Sequence, residues 1–370
     1  VRMANPAASG TDARIDMIPA DALLCYCRPG FEPELAAELG ERAALAGHPG
    51  YARTERNSGY VEFLGADAGA LTRAMPFDSL IFARQKLARF AELRGLDPKD
   101  RITPILRALE ATLGNTYTFG ELWVEHPDSD EAKPLAGLAR AFGNALRPVL
   151  RKGGWLTQFD DSRKSRLHVV FLSGDHVLLA IGEAGDSAPW PLGIPRLRMH
   201  ADAPSRSALK LEEALMVLMS GKERERLFRE GMRGADLGAA PGGWTWVLMR
   251  QGLHVTSVDN GPLREHLLES GRVDHLREDG FHWQPRAPLD WMVCDMVEQP
   301  RRVAERMATW LREGWCRHTI FNLKLPMKKR WDETRLCLDL FQQRAEKPLL
   351  LRARQLYHDR EEITVFATVR

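Results

Sequence analysis

The run Gly234-Ala235-Asp236-Leu237-Gly238-Ala239-Ala240-Pro241-Gly242-Gly243-Trp244 constrains this chain more than any other stretch. It predicts a buried strand, a tight glycine turn and the start of a helix. Glycine is needed where the backbone turns sharply or lets a ligand approach, because a Cβ would clash. A helix N-terminus beyond such a turn presents free N–H groups. Val255-Thr256-Ser257-Val258-Asp259 follows, a β-branched strand whose closing carboxylate stands sixteen residues after Gly243. A turn beneath a ligand, with an acid for ribose hydroxyls at the end of the next strand, is the geometry of a nucleotide-type cofactor site.

The turn departs from the dinucleotide fingerprint. In G-x-G-x-x-G the glycines let a pyrophosphate sit on the helix end; the pattern here is D-x-G-x-x-P-G-G. Pro241 has no N–H to offer an anion, and Asp236 lies under the loop. A cationic or zwitterionic ligand suits that arrangement better than a diphosphate. S-adenosylmethionine, with its adenosine, amino acid and sulfonium, is such a ligand. A nicotinamide dehydrogenase would use the same strand, turn and Asp259, but the missing glycine spacing argues against it.

Composition narrows the class. The 52 basic and 50 acidic side chains leave a net charge of only +2, so any nucleic-acid contact must rest on local patches. Cys25, Cys27, Cys294, Cys316 and Cys337 are odd in number and scattered through apolar patterns, which predicts buried reduced thiols and a reducing cytoplasm. No run of eighteen apolar residues spans a membrane. Residues 1–20 read as a polar, disordered leader without an apolar signal region.

The first half alternates elements. A strand over Ala22–Cys27, a helix from Glu32 to Ala46, a strand over Gly59–Phe63, a short helix over Ala68–Ala74 and a strand-like Leu80–Gln85 suggest a ferredoxin-like module over 21–95. A second module over 96–187 shows a helix from Ile102 to Leu113, a strand over Tyr117–Glu125, a helix from Ala132 to Leu150 and a hairpin turning at Ser173-Gly174-Asp175. Ala188-Pro189-Trp190-Pro191-Leu192-Gly193-Ile194-Pro195 opens a linker over 188–204. From 205 to 370 strands near Gly234–Asp236, His254–Asp259, Asp290–Met296, Thr319–Leu325, Arg354–Tyr357 and Ile363–Thr368 alternate with helices. That order predicts a doubly wound, Rossmann-like parallel sheet with its ligand outside the carboxyl ends of the strands.

The string Asp236 to Trp244 resembles motif I of the FtsJ-like ribose 2'-O-methyltransferases. The resemblance implies S-adenosylmethionine as cofactor, bound by Gly238, Ala240 (through its backbone), Pro241, Gly242, Gly243 and Trp244 above Asp236, with Asp259 on the ribose. Valine at Gly242 is then expected to fill the ligand's volume. Asp279, after the third strand, is where methyltransferases hold the adenine amino group, and Ser207 would reach the cofactor's carboxylate. Four further positions resemble the family's K-D-K-E tetrad: Lys210, Asp295, Lys324 and Glu362, with Asp295 also beside the cofactor. Glu361 is the competitor for the last place, one residue away and so on the opposite face of a strand. Singly, a strand-end lysine reads as a solvated charge and a strand-end aspartate as a helix cap; their joint order on one α/β pattern carries the expectation.

The chemistry suits those residue types. A ribose 2'-hydroxyl becomes a good nucleophile when its proton is removed as it attacks, and Lys324 is the expected acceptor. It must be neutral to act, and burial or a neighbouring cation such as Lys210 favours that form. Asp295 and Glu362 would orient the ammonium and the hydroxyl.

Phe321 to Arg330, Trp291 to Glu298, Asp259-Asn260-Gly261-Pro262, Leu356 to Glu362 and Cys27 to Glu32 extend the resemblance to the RlmM-type enzymes over nearly the whole chain from Leu23. Ala240 stands where some relatives carry cysteine. The first half is similar in arrangement to THUMP-containing RNA-modification enzymes, which implies an α+β ferredoxin-like plus THUMP-like RNA-binding half. The implied activity is methylation of one cytidine ribose in the peptidyl-transferase region of 23S rRNA by a cytoplasmic monomer without an obligate protein partner. Arg151, Lys152, Arg163, Lys164 and Arg166 around Trp155 and Phe159, then Arg196, Arg198 and His200, then Lys328, Lys329 and Arg330, are the expected RNA contacts. A tRNA or cap methyltransferase and a non-catalytic RNA-binding protein are the competing readings.

Overall fold

The computed structural model describes residues 20–65, 67–114 and 117–370. All but Ala20 of the expected leader lies outside them. The chain divides into two compact units that meet between Ile194 and Pro195.

Unit 1 contains β1 (Ala22–Tyr26), α1 (Glu32–Leu45), β2 (Gly50–Thr54), β3 (Tyr60–Gly65), α2 (Ala68–Ala74), β4 (Gln85–Leu93), α3 (Ile102–Leu113), β5 (Glu121–Glu125), α4 (Ala136–Lys152), β6 (Arg166–Ser173) and β7 (His176–Gly182). Among the described residues these strands form one seven-stranded sheet in the order β2-β3-β1-β4-β7-β6-β5. β4 pairs antiparallel with β1 on one side and with β7 on the other, so a single sheet runs through both modules read from the sequence.

Two local expectations fail for clear reasons. Leu80–Ala83 is buried but is not a strand. The Ile81 and Phe82 amides donate to the buried Glu38 carboxylate at 2.7 and 2.9 Å, so a side chain satisfies donors that a ladder would otherwise pair. β2 was not foreseen because it is an exposed strand at the sheet edge, with no apolar face for a pattern to reveal.

Unit 2 contains α5 (Ala208–Val217), α6 (Gly221–Leu227), β8 (Arg233–Leu237), α7 (Gly243–Arg250), β9 (His254–Val258), α8 (Glu265–Glu269), β10 (Val273–Leu276), β11 (Trp291–Cys294), α9 (Pro300–Arg312), β12 (His318–Lys324), α10 (Arg330–Ala345), β13 (Leu349–Arg354) and β14 (Glu362–Val369). The sheet order is β10-β9-β8-β11-β12-β14-β13. Its first five strands are parallel neighbours. The chain steps outward from β8 to β10, then returns to the other side of β8 as β11. That reversal is a topological switch point, where open α/β sheets leave a crevice. Val255, Val293 and Ile320 belong to the buried core here, and each such side chain contributes about 1.5–3 kcal/mol by leaving water.

β14 runs antiparallel to both neighbours, so the sheet is not wholly parallel as expected. The strand expected near Arg354–Tyr357 ends at Arg354 instead. Beyond it the Tyr357 and His358 amides turn to the Glu213 carboxylate of α5, at 2.8 and 2.9 Å, and leave the sheet.

Candidate active site

The glycine turn joins β8 to α7 at the switch point. Gly242 has φ +111°, a left-handed conformation that excludes most side chains. A Cβ there would meet the Leu267 side chain, not open space. The ligand-filling effect expected of valine at Gly242 is therefore corrected: the obstacle is the core. Gly243 is approached closely by the loop before α5, and a Cβ would lie 2.6 Å from Ser205 Oγ and 3.0 Å from the Ala208 amide nitrogen. The Ser207 and Ser205 hydroxyls are hydrogen-bonded at 2.6 Å. The Trp244 indole N–H donates to the Ser207 carbonyl at 3.0 Å, and the ring is buried in the core. Pro241 accepts from the Arg264 amide at 3.1 Å. Trp244 and Gly242 thus support the turn from inside.

A cleft of about 440 Å³ lies beside the turn, lined in part by Gly238, Asp259, Asp279, Gly280, Asp295 and Val297. Asp259 accepts from the Ala240 amide at 2.9 Å and from the Gly261 amide at 2.7 Å. The Ala240 N–H thus serves Asp259 instead of facing a ligand. Two of roughly four carboxylate acceptor positions are filled, which leaves capacity for vicinal hydroxyls. Asp279 is exposed; bonds from His282 Nδ1 at 2.6 Å and the Phe281 amide at 2.8 Å hold its carboxyl below the usual range.

Asp236 is buried under the turn and accepts from Thr245 Oγ1 at 2.7 Å. Burial pushes its carboxyl up to about 7, against the bonds from Thr245, with the nearby charges of Asp295 and Asp259 adding to the rise. It is absent from the cleft lining, so its role is beneath the loop.

Lys210, Asp295, Lys324 and Glu362 meet in one ring of alternating charge. Lys324 Nζ lies 2.6 Å from Asp295 Oδ1 and bonds Glu362 Oε2. Lys210 Nζ lies 3.2 Å from Asp295 Oδ2 and pairs with Glu362 Oε1. The β12–β14 register sets Lys324 directly opposite Glu362. Glu361 points elsewhere and accepts from Arg330 at 2.6 Å. Burial acts to lower the Lys324 pKa, yet Asp295 and Glu362 outweigh it and hold the ammonium above the ordinary lysine value.

Two residues behind the ring escaped sequence analysis. Asn322 Nδ2 donates to Asp295 Oδ1 at 2.8 Å, and Thr364 Oγ1 donates to Asn322 Oδ1 at 2.8 Å. The available signal was a wholly buried polar side chain inside the apolar run Ile320 to Leu323.

The basic clusters are less open than expected. In unit 1, Arg166 is buried, pairs with Glu121 at 2.6 Å and covers Trp123 at 3.9 Å. Arg151 pairs with Asp160 and Arg163 with Asp161, and Trp155 is buried. Phe159, Lys152 and Lys164 remain in solvent. In unit 2, Arg196, Arg198, His200, Lys328 and Lys329 are exposed.

A carboxylate-lined cleft at a switch point, closed on one side by a tightly packed glycine turn, fits an adenosine carrying a cationic sulfur. Fold and site define an S-adenosylmethionine-dependent methyltransferase of the FtsJ-like class, and the FtsJ-like methyltransferase family model matches residues 203–355. The RlmM ferredoxin-like domain matches residues 20–87, and the N-terminal model of ribosomal RNA large subunit methyltransferase M matches 100–182. Proteins described as ribosomal RNA large subunit methyltransferase M from Xanthomonas campestris pv. campestris (strain B100), Xanthomonas axonopodis pv. citri (strain 306) and Xanthomonas oryzae pv. oryzae (strain PXO99A) are 72%, 71% and 70% identical over 345 residues, covering 93% of this chain and 98% of each relative. The chain belongs to the ribosomal RNA large subunit methyltransferase M family. Among the described residues no helix is long and apolar enough to cross a membrane.

Proposed function

We propose that this enzyme methylates the ribose 2'-hydroxyl of a cytidine in 23S rRNA, with Lys324 as proton acceptor. The ring of Lys210, Asp295, Lys324 and Glu362 at the cleft is the observation that carries the reading. When bound, S-adenosylmethionine supplies a methyl group on a positively charged sulfur. Asp259 and Asp279 would hold its ribose and adenine, with Ser207 and the 238–243 turn around its amino-acid end.

A positive charge in the cleft competes for the two carboxylates that hold Lys324 as an ammonium, which loosens that hold. Lys324 Nζ, once its ammonium proton has passed to solvent, would take the proton of the 2'-hydroxyl as the oxygen bonds the methyl carbon and the carbon–sulfur bond breaks, its electron pair staying on sulfur. Lys210 pairs with Asp295 and Glu362 and keeps both turned toward the ring. Asn322 fixes the Asp295 carboxylate through its amide. Alignment of the hydroxyl with the methyl group supplies much of the acceleration.

Unit 1 supplies RNA recognition in this reading. The enzyme works as a monomer in the cytoplasm, where its five buried cysteines stay reduced. Ribose-methylation mapping of rRNA with and without the gene tests the substrate: one cytidine mark in 23S rRNA should disappear. Lys324→Ala should lower turnover by about 10²–10⁴ while cofactor affinity persists. Lys324→Arg should fail as well, since guanidinium stays protonated; normal turnover by that variant would remove the base role.

A further inference from the structure

Large apolar side chains standing in solvent are few among the described residues, and two of the most exposed lie on the loops that follow Asp295 and Lys324. Val297 is 89% exposed and Met327 86% exposed. Val297 lies two residues beyond Asp295, and Met327 three beyond Lys324. β11 and β12 are adjacent and parallel, with Cys294 opposite Phe321, so both residues sit on loops leaving the same edge of the sheet. Those loops start where Lys324 Nζ and Asp295 Oδ1 are 2.6 Å apart. Val297 also lines the cleft, and Lys328 and Lys329 beside Met327 are exposed.

A single exposed apolar residue calls for no explanation. A pair on the loops that leave two neighbouring strand ends, where Lys324 and Asp295 meet, marks a surface that something apolar covers. The site itself names the occupant. A ribose whose 2'-oxygen reaches Lys324 carries its base one glycosidic bond away, so the base must lie against whatever surrounds the ring. A base in a stack cannot bring its ribose into such a cleft, and pulling it out is unfavourable. An apolar seat offsets part of that, and a thioether is polarisable and adapts to an aromatic face. Lysines beside the seat suit the flanking phosphates.

We propose that Val297 and Met327 form an apolar seat for the base of the nucleotide being methylated, holding it unstacked while its ribose lies at Lys324. This rests on the ribose-methylation reading above.

The test compares the full-length enzyme with Met327→Gln, Val297→Thr and the double variant. Each is assayed on a 23S rRNA fragment and on the same fragment lacking only the base at the target nucleotide. On intact RNA, kcat/KM should fall roughly 3- to 10-fold for each single change and further for the double. Cofactor affinity by calorimetry should stay as in the wild type for Met327→Gln, which lies outside the cleft lining, and sedimentation should stay unchanged for all three variants. On the base-less RNA the penalty should vanish, because the partner has been removed from both sides of the cycle. Wild-type kinetics on intact RNA, or an undiminished penalty on base-less RNA, would overturn the seat. So would a change in sedimentation, which would make the pair a contact between copies. Lys324→Ala is run alongside: an inactive Lys324→Ala beside unaffected seat variants rejects the seat alone, whereas an active one rejects Lys324 as the base and with it the placement of the ribose on which the seat rests.

Discussion

Asp236→Asn should stabilise the enzyme increasingly as pH rises. The Asp236 carboxyl is fully buried beneath the glycine turn and titrates at about 7 instead of its usual 3.8. In the unfolded chain the acid ionises above pH ~4. The folded state keeps its proton until about 7, so ionisation favours unfolding, and this penalty grows through that window before levelling off. A rise of about three pKa units corresponds to about 4 kcal/mol at full development, at 1.36 kcal/mol per unit. Between pH 5 and 7 the increment is about 2–3 kcal/mol. Asparagine does not titrate, keeps an acceptor for Thr245 and stands in for the neutral acid. Urea unfolding of both proteins, read on the transition of unit 2, isolates the effect, because every other titration cancels in the difference. The Asn-minus-Asp stability difference should climb by that amount from pH 5 to 7. A difference that stays flat would refute the buried neutral acid.

Three more outcomes follow from named contacts. Glu362→Gln should reduce turnover tenfold or more, on the order of a lost charged contact at the reacting groups, whereas Glu361→Gln should stay within about twofold, because its pair with Arg330 is exposed on the acid's side; steady-state methylation assays separate them. Gly242→Val combines a positive φ with a collision at Leu267 and should destabilise by about 2–4 kcal/mol, seen as a lower Tm, with cofactor affinity retained by the folded fraction. Asn322→Leu leaves Asp295 and Thr364 without their shared partner and should lower turnover roughly tenfold while costing about 1–3 kcal/mol of stability, measured by kinetics and unfolding on one preparation.

What the sequence revealed follows the locality of the physics. The turn from Asp236 to Trp244 was legible because a strand, a glycine turn and a helix start are all short-range signals. Glu362 could be preferred over Glu361 on side-chain alternation and resemblance; the register opposite Lys324 shows which of them meets the lysines. Side-chain direction was harder to read. Trp244 and Gly242 stand in the turn yet face the core, and no local pattern says which way a turn residue points. Leu80–Ala83 looked like a strand because Glu38, more than forty residues away, supplies its hydrogen bonds. The basic clusters of unit 1 show the same limit: Glu121 and the acids at 160 and 161 pair with arginines that the linear sequence shows as free.

The sheet of unit 1 has a bearing on how the chain is made. β4 ends at Leu93 and its second partner β7 begins at His176, about 80 residues later. At ordinary synthesis rates β4 leaves the ribosome on the order of ten seconds before that partner exists. Until then one side of it is an unpaired row of N–H and C=O groups, open to any other strand nearby. The growing chain is therefore most vulnerable to wrong pairing midway through unit 1, and a chaperone or a pause in translation would protect it most in that interval.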